Sequence, residues 1–216
     1  MKFEFLYDPF IIIIRDVFTK EDNEEILKEA IKNKNKFEGA ILDIDNNKDM
    51  SKFRNNSVAY YDNIYQQDRS FSKLLTKIDE LFNIKKFREI LISSGYPVNQ
   101  FGHSNFHETQ VSRYGDEGQK YNYHIDSVTS INRKVTMVYY FHKEPKNYTG
   151  GEISLTDSPI YNGKIMDKSR KVTTLIPENN MAVIFGSKLP HFVHPTKSPK
   201  IFSKGRFSVN CWIGNN

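Results

Sequence analysis

The sequence is poor in cysteine, because Cys211 is the one thiol among 216 residues. A single thiol excludes an intramolecular disulfide and a thiolate metal cluster, so the chain suits a reducing compartment or is indifferent to redox conditions. Any metal site must therefore draw its ligands from histidine, aspartate and glutamate.

Long hydrophobic runs are also missing. The most apolar stretch, residues 11–14, is far too short to cross a bilayer, and it follows Asp8 and Pro9 instead of a basic leader. We therefore expect neither a signal peptide nor a membrane helix, and we expect a cytoplasmic location. The aromatic content of 13% still provides the bulky residues that a core needs, which excludes wholesale disorder.

Charge of one sign is only mildly in excess. The formal net charge is +5, and the basic residues are spread along the chain instead of forming a run. Such a balance permits an acidic partner without requiring one.

The first half of the chain has helical patterning. One helix is predicted after Thr19, and a second after Asp68, ending at Gly95. Strand-like patterns are limited to residues 10–14 and 57–61. The second helix has apolar residues at three-to-four spacing, namely Phe71, Leu74, Leu75, Ile78, Leu81 and Phe82.

The second half changes to short β-rich runs separated by turn residues. About eight strands at this spacing predict a sandwich, jelly roll or barrel, with the helices covering one sheet. The sequence thus predicts a mainly β fold with supporting helices in a single domain, residues 1–216. The predicted strands are 107–114, 121–126, 135–141, 151–155, 172–176, 181–185, 191–195 and 206–213.

The last predicted strand has two contrasting faces. Phe207, Val209, Cys211 and Ile213 share one face, since side chains alternate along a strand. We expect this apolar face to pack against the helices. The other face carries Arg206, Ser208, Asn210 and Trp212, and the tryptophan there favours a lined cavity over a solvent-exposed surface.

His124 and Asp126 are two residues apart in a predicted strand, so their side chains lie next to each other on one face of it. One further histidine would complete the facial triad that holds Fe(II) and leaves coordination positions open. His191 and His194 are both candidates. They point to opposite faces of a strand, so only one can serve, and strand parity favours His191 narrowly.

Arg206 begins the last strand and faces the inside of the predicted roll. A buried guanidinium needs an anionic partner, and its planar fork suits a dicarboxylate ligand. Tyr114 and Tyr140 lie in strands expected to flank the metal, where their hydroxyls could complete such a pocket.

Several motifs of the second half occur in an order and at spacings typical of one enzyme group. They are Tyr114-Gly-Asp-Glu-Gly118, Tyr121-Asn-Tyr-His124-Ile-Asp126, Arg133-Lys-Val-Thr136, Tyr139-Tyr140-Phe, Gly150-Gly151-Glu152, Pro177, Ala182-Val-Ile-Phe185, His191-x-Val193-x-Pro195 and Gly205-Arg206 with Trp212. Together they resemble the Fe(II)/2-oxoglutarate-dependent prolyl hydroxylases of the prolyl 4-hydroxylase superfamily. The resemblance is strongest to the branch of the hypoxia-inducible-factor prolyl hydroxylases and their microbial relatives.

The resemblance implies a fold and a set of site residues. The expected fold is a double-stranded β-helix, or jelly roll, over residues 107–216, supported by a helical region with one or two strands over residues 1–106. The implied Fe(II) ligands and catalytic residues are His124, Asp126 and His191. Arg206 would bind the distal carboxylate of 2-oxoglutarate with Tyr140 and Tyr114, and the substrate entrance would be lined by Tyr121, Arg133 and Trp212.

The resemblance also implies an activity. Such enzymes convert 2-oxoglutarate and O2 to succinate and CO2 while they hydroxylate a C–H bond, and ascorbate stimulates them. The leading hypothesis is hydroxylation of prolyl residues in a protein or peptide partner. A hydroxylase of a free amino acid or small molecule is the alternative, and a non-catalytic jelly-roll binding module is a remote one. Nucleic acid is a disfavoured partner, because Trp212 stands where demethylases of this superfamily have a second arginine.

Two departures from the family pattern concern the substrate. The collagen-type branch commonly has lysine where this chain has Arg206, which weakens the collagen interpretation. Segments 156–171 and 196–204 are longer than in the hypoxia-factor enzymes, and we expect them to reshape the substrate rim.

Overall fold

The computed structural model describes residues 1–40, 52–95, 105–115, 118–127 and 133–215. Within these ranges the helices are α1 (Lys20–Lys32), α2 (Tyr61–Ile64), α3 (Lys73–Asn83) and α4 (Lys85–Ser93). The strands are β1 (Lys2–Tyr7), β2 (Phe10–Arg15), β3 (Glu38–Gly39), β4 (Ser57–Tyr60), β5 (Asn105–Tyr114), β6 (Gln119–His124), β7 (Arg133–Phe141), β8 (Thr149–Gly150), β9 (Ile153–Thr156), β10 (Ile160–Tyr161), β11 (Lys164–Ile165), β12 (Val172–Leu175), β13 (Met181–Gly186), β14 (His191–Lys197) and β15 (Arg206–Asn215).

The strands form two antiparallel sheets and a small hairpin. The major sheet has the order β1-β2-β13-β7-β15-β5-β4-β3, and the minor sheet has the order β12-β9-β14-β6, with β8 beside β14. The hairpin consists of β10 and β11. This mainly β architecture with supporting helices confirms the predicted double-stranded β-helix class. No helix in the described ranges is long and apolar enough to cross a membrane.

The major sheet is buried on both faces, which explains its apolar central strands. In β2, Ile12 and Ile14 pack with the helices, whereas Ile11 and Ile13 pack between the two sheets. A strand covered on both sides shows a continuous apolar run instead of an alternating one. The isoleucine run that was too short for a membrane is therefore a central strand of the core.

Strand β15 follows the predicted alternation. Phe207, Val209, Cys211 and Ile213 all lie in the cluster that joins the major sheet to the helices. Its opposite face turns toward the minor sheet, and it carries the buried side chains of Arg206, Ser208 and Trp212.

The region before residue 107 contains more β structure than predicted. Besides the predicted strands it has β1 and the short β3, and β2 joins β13 in the major sheet. Residues from the two predicted regions are thus joined in one sheet. Strand β1 has its own signal, because Phe3 and Phe5 alternate with Lys2 and Glu4 and pack against the core.

The helix predicted after Asp68 starts later than expected. Asp68 caps only a short 3-10 turn over Arg69–Phe71, and Ser72 caps α3. Phe71 therefore lies before the helix and is exposed, so its prediction as part of the buried face is wrong. The later positions, from Leu74 to Phe82, are buried as predicted.

The helices are joined at the Ser72 cap. The Ser72 hydroxyl accepts a hydrogen bond from the Leu75 amide and donates one to Glu29 of α1, which also accepts from the Leu74 amide. A buried serine and a carboxylate thus satisfy the first free amides of α3 and hold α1 against it.

We expect Ser72→Ala to lower the free energy of unfolding by about 2 kcal/mol, because it removes a cap and leaves Glu29 without its buried donor. Urea unfolding followed by circular dichroism measures the change. The control is Ser93→Ala, whose exposed hydroxyl bonds only the Ile90 carbonyl of its own helix. An equal loss in both variants would contradict the role of the Ser72 cap.

Candidate functional site

Three buried side chains meet between the two sheets near the end of β6. His124 ends β6, Asp126 follows it, and His191 begins β14 directly opposite His124. One ligand atom from each lies within 4.8 Å of the others. The Asp126 carboxylate is 3.7 Å from Nε2 of His124 and 3.5 Å from Nε2 of His191. We call these three residues the triad, and the end of the barrel where they lie the triad end.

Both imidazoles are held in one tautomer by the backbone. Nδ1 of His124 donates to the Asn122 carbonyl at 2.8 Å, and Nδ1 of His191 donates to the Leu189 carbonyl at 2.9 Å. A proton on Nδ1 leaves the Nε2 lone pair free, and both Nε2 atoms face Asp126. This is the arrangement by which backbone acceptors orient histidines that ligate a metal.

Protonation favours metal binding as well. Burial lowers the pKa of His124 well below its ordinary value, so the ring is neutral. Burial alone would raise the pKa of Asp126, but the neighbouring imidazoles and the Thr136 hydroxyl lower it below its ordinary value. Thr136 donates to the carboxylate at 2.8 Å and contacts Ser187 at 3.0 Å. The triad thus offers two imidazole nitrogens and one anionic carboxylate oxygen.

Aromatic rings pack around the imidazoles. The Tyr121 ring stacks on His124 with centroids 3.4 Å apart, and Phe185 meets His191 edge to face at 4.8 Å. The Arg54 guanidinium lies 4.5 Å from the Tyr121 centroid on the other side. These contacts fix both imidazoles and exclude water from their flanks.

A second feature of the same interior is the guanidinium of Arg206, which is only 1% exposed. It donates to the Gly151 carbonyl at 2.9 Å and to the Ser208 hydroxyl at 3.4 Å. Its carbon Cζ lies 4.7 and 4.9 Å from the ring centroids of Tyr114 and Tyr140. Arg206 forms no ion pair with any described carboxylate, so its buried guanidinium is available to bind an anionic ligand.

Two buried hydroxyls beside this guanidinium also lack a hydrogen-bond partner among the described residues, those of Tyr140 and Thr196. The Tyr140 ring lies over Arg206, and both Arg206 and Thr196 approach Gly151. Buried polar groups are normally satisfied. A carboxylate that accepts from Arg206 and these hydroxyls would satisfy all three, so the donor set fits one end of a dicarboxylate.

The chain approaches Arg206 closely at Gly151. Its φ is +74°, and a Cβ there would lie 2.5 Å from Cδ of Arg206. Only glycine combines this left-handed conformation with such a close approach. Gly151 thus presents its carbonyl to the guanidinium and leaves the space that Arg206 fills.

The remaining predicted residues lie at the triad end. The Arg133 guanidinium lies 4.0 Å from the Trp212 ring centroid, pairs with Glu108 and donates to the Asp126 carbonyl at 3.2 Å. The indole N–H of Trp212 is buried and helps to lower the pKa of the Asp126 carboxyl. Arg133 therefore connects the backbone at Asp126 with the side chains of Glu108 and Trp212.

The structure separates the two histidines that the sequence left as alternatives. His191 joins the triad, whereas His194 lies on the opposite face of β14, where Nε2 is 2.7 Å from the Ser154 hydroxyl. The geometry therefore brings together all nine predicted site residues and leaves His194 outside. Their roles remain predictions.

Sequence reasoning assigned no role to several supporting residues. Ser208 was placed on the inward face with Arg206, and Thr136 shares its strand face with Tyr140, so alternation could have identified both as supports. Thr196 could not be found in this way, because β14 has register shifts on both sides of Val193. The contacts that Glu108 and Gly151 make with the two arginines become visible only in the structure.

Comparison with known proteins is consistent with this geometry. Residues 109–214 match the family model of the 2OG-Fe(II) oxygenase superfamily. An uncharacterized PKHD-type hydroxylase of Synechocystis sp. is 29% identical over 210 residues, which make up 93% of this chain. The chain spans 61% of the length of that relative.

Solved structures share the fold. A prolyl hydroxylase from Trichoplax adhaerens, in complex with a peptide fragment of the hypoxia-inducible-factor oxygen degradation domain, superposes with a TM-score of 0.63 at 20% identity and covers 95% of this chain and 83% of its own. A prolyl-4-hydroxylase of Pseudomonas putida superposes with a TM-score of 0.62 at 16% identity, and the superposition covers 95% of this chain and 92% of the hydroxylase.

The triad can be tested with two histidines of one strand. We expect His191→Ala to weaken binding of Fe(II), or of Co(II) as an air-stable probe, by more than about 100-fold, since even outer partners of metal ligands contribute 10–100-fold. Quenching of Trp212 fluorescence measures binding, because the chain has one tryptophan. His194→Ala is the matched control and keeps its affinity. The reverse pattern would exclude the triad as the metal site.

Proposed function

Because the chain belongs to the 2OG-Fe(II) oxygenase superfamily over residues 109–214, we propose that it is a 2-oxoglutarate-dependent dioxygenase that hydroxylates prolyl residues in a protein or peptide. The observation that carries the co-substrate assignment is the buried Arg206, which has no carboxylate partner in the described ranges and lies beside two unpartnered hydroxyls. Similarity to the prolyl hydroxylases supports the prolyl substrate.

The triad residues would hold the metal. His124, Asp126 and His191 would provide two nitrogen donors and one oxygen donor to Fe(II), which is the ligand set of a facial-triad site. Bound Fe(II) supplies the oxidative decarboxylation of 2-oxoglutarate by O2 to succinate and CO2, with the second oxygen atom inserted into a substrate C–H bond. The protein contributes binding, orientation and exclusion of water.

Arg206 would bind the distal carboxylate of 2-oxoglutarate. A guanidinium held by Gly151 and Ser208 is oriented before the ligand arrives, so little entropy is lost on binding. Tyr140 would donate its hydroxyl to the same carboxylate, and burial raises its pKa, which keeps that proton on the oxygen. Thr196 would add a third donor. Tyr114 covers the guanidinium and would complete the pocket.

Tyr121, Arg133 and Trp212 would line the substrate entrance. The Tyr121 ring is covered by His124 on one face and by Arg54 on the other. The Arg133 guanidinium lies over the Trp212 ring. The packed rings would form a rigid wall along the path of a proline ring. Arg133 is held by Glu108 and the Asp126 carbonyl, and the Trp212 N–H helps to lower the pKa of Asp126. A rigid wall of this kind would position a residue of a polypeptide.

The function itself is tested by mass spectrometry. Proline-containing peptides incubated with the protein, Fe(II), ascorbate and 2-oxoglutarate should gain one oxygen atom on proline, in step with succinate formation. His191→Ala should abolish both signals. Turnover of 2-oxoglutarate with unmodified proline across a broad panel would contradict the prolyl assignment, and oxidation of a free amino acid would establish the alternative.

The Arg206 pocket gives a separate prediction. Gly151→Ala would place a Cβ against Arg206, and we expect the KM for 2-oxoglutarate to rise on the order of tenfold or more as one charged hydrogen bond is lost. Co(II) quenching of Trp212 should be unchanged. Gly39→Ala is the control, because its Cβ would meet no described atom within 4 Å. An unchanged KM would contradict the location of the pocket.

A further inference from the structure

The positive charge of the chain is unevenly distributed. Residues 1–106 carry 16 basic and 17 acidic side chains, so residues 107–216, which hold the site, carry a net charge of +6. Charge that is concentrated around a cleft raises the local concentration of an oppositely charged ligand.

Four exposed lysines from different segments lie at the triad end. Ser187, whose carbonyl accepts from the Asp126 amide, donates its own amide to the Lys134 carbonyl at 3.0 Å. Lys188 follows Ser187, in the turn just before His191. The backbone carbonyl of Lys52 accepts a hydrogen bond at 3.5 Å from the side chain of Asn122, which precedes His124 by two residues. The fourth is Lys164 of the β10–β11 hairpin. We call Lys52, Lys134, Lys164 and Lys188 the mouth lysines.

The β10–β11 hairpin brings Lys164 to this place. A Cβ on Gly163 would lie 2.5 Å from the Phe53 ring and 3.1 Å from Cβ of Asn122, so the hairpin tip touches both residues. Phe53 in turn meets the Tyr121 ring edge to face at 5.9 Å. The long segment 156–171 therefore reaches across the minor sheet to the wall beside Tyr121, and it carries Lys164 there.

Three described carboxylates near this end are already paired. Glu108 binds Arg133, while Asp157 and Asp167 both bind Arg170. The mouth lysines form no ion pair within the described ranges, whereas Lys73 and Lys77 on α3 pair with Asp22 and with further glutamates. The excess positive charge at the triad end is therefore available to a ligand.

We propose that the mouth lysines bind acidic side chains on either side of the target residue, so that the substrate is an acidic segment of a polypeptide. This inference rests on the proposed function and specifies its substrate class. Exposed lysines around a cleft contribute more to encounter and selection than to tight binding. The effect should therefore appear in KM and in salt dependence, with little change in kcat.

The test compares two peptides that share one central proline, one flanked by aspartate and glutamate and the other by asparagine and glutamine. The variant K52Q/K134Q/K164Q/K188Q removes the mouth charges and keeps the aliphatic stems. The matched control K20Q/K28Q/K34Q/K86Q removes the same charge from exposed lysines on the helical side. Binding of the fluorescently labelled peptides is measured by anisotropy on the Co(II) and 2-oxoglutarate form, alongside hydroxylation kinetics.

We expect the unaltered protein to prefer the acidic peptide and to lose that preference at high salt. The mouth variant should bind the acidic peptide on the order of tenfold more weakly, at about twofold for each exposed charge. Its KM for 2-oxoglutarate should not change, and the control variant should behave like the unaltered protein.

Failure of the inference and failure of the proposed function are distinguishable. Equal hydroxylation of both peptides, unaffected by the mouth substitutions, would overturn the inference and leave prolyl hydroxylation in place. Salt-dependent binding of the acidic peptide without hydroxylation would support the inference and contradict the prolyl assignment. Displacement of the acidic peptide by a single-stranded RNA oligomer that itself binds more tightly would overturn the inference in favour of a nucleic-acid partner.

Discussion

Inside the barrel, the positive charge of Arg206 has no balancing negative charge among the described residues, and much of the surrounding structure is arranged to tolerate it. Arg206 is oriented by one carbonyl and one hydroxyl and is covered by the faces of two tyrosine rings. Removing a charge from water is costly unless it is paired. The sheets, the glycine at position 151 and the neighbouring hydroxyls all serve a site that is complete only with an anion.

The triad follows the opposite rule, since its charges are arranged for a cation. Backbone carbonyls orient the two imidazoles, while Thr136 and the imidazoles stabilise the carboxylate. The guanidinium, which suits an anion, and the triad, which suits a cation, thus lie in the same interior. A molecule with a free carboxylate at one end and a metal-chelating group at the other meets both demands, which is the physical basis for assigning 2-oxoglutarate to this cavity.

Strand alternation explains how much of this could be predicted. Because the pairing of β15 is regular from Phe207 to Ile213, its two faces were predicted correctly, and the neighbours of Arg206 followed. The inward position of Thr196 could not be predicted, because the register shifts of β14 break the period of two. The Ser72 cap moved the start of α3 beyond Phe71, and the contact of the hairpin tip with Phe53 depends on residues more than one hundred positions apart. Local patterns carry no information about such contacts.

The opposite faces of β15 also bear on the durability of the protein. Trp212 faces the cavity, whereas Cys211, one residue before it, is fully buried beneath the helices on the other side of the sheet. Burial raises the pKa of this thiol, and it is the thiolate that oxidants attack. An oxygen-using site is thus separated from the one thiol of the chain by the thickness of its own sheet, so stray oxidants generated in the cavity meet no reactive sulfur of Cys211.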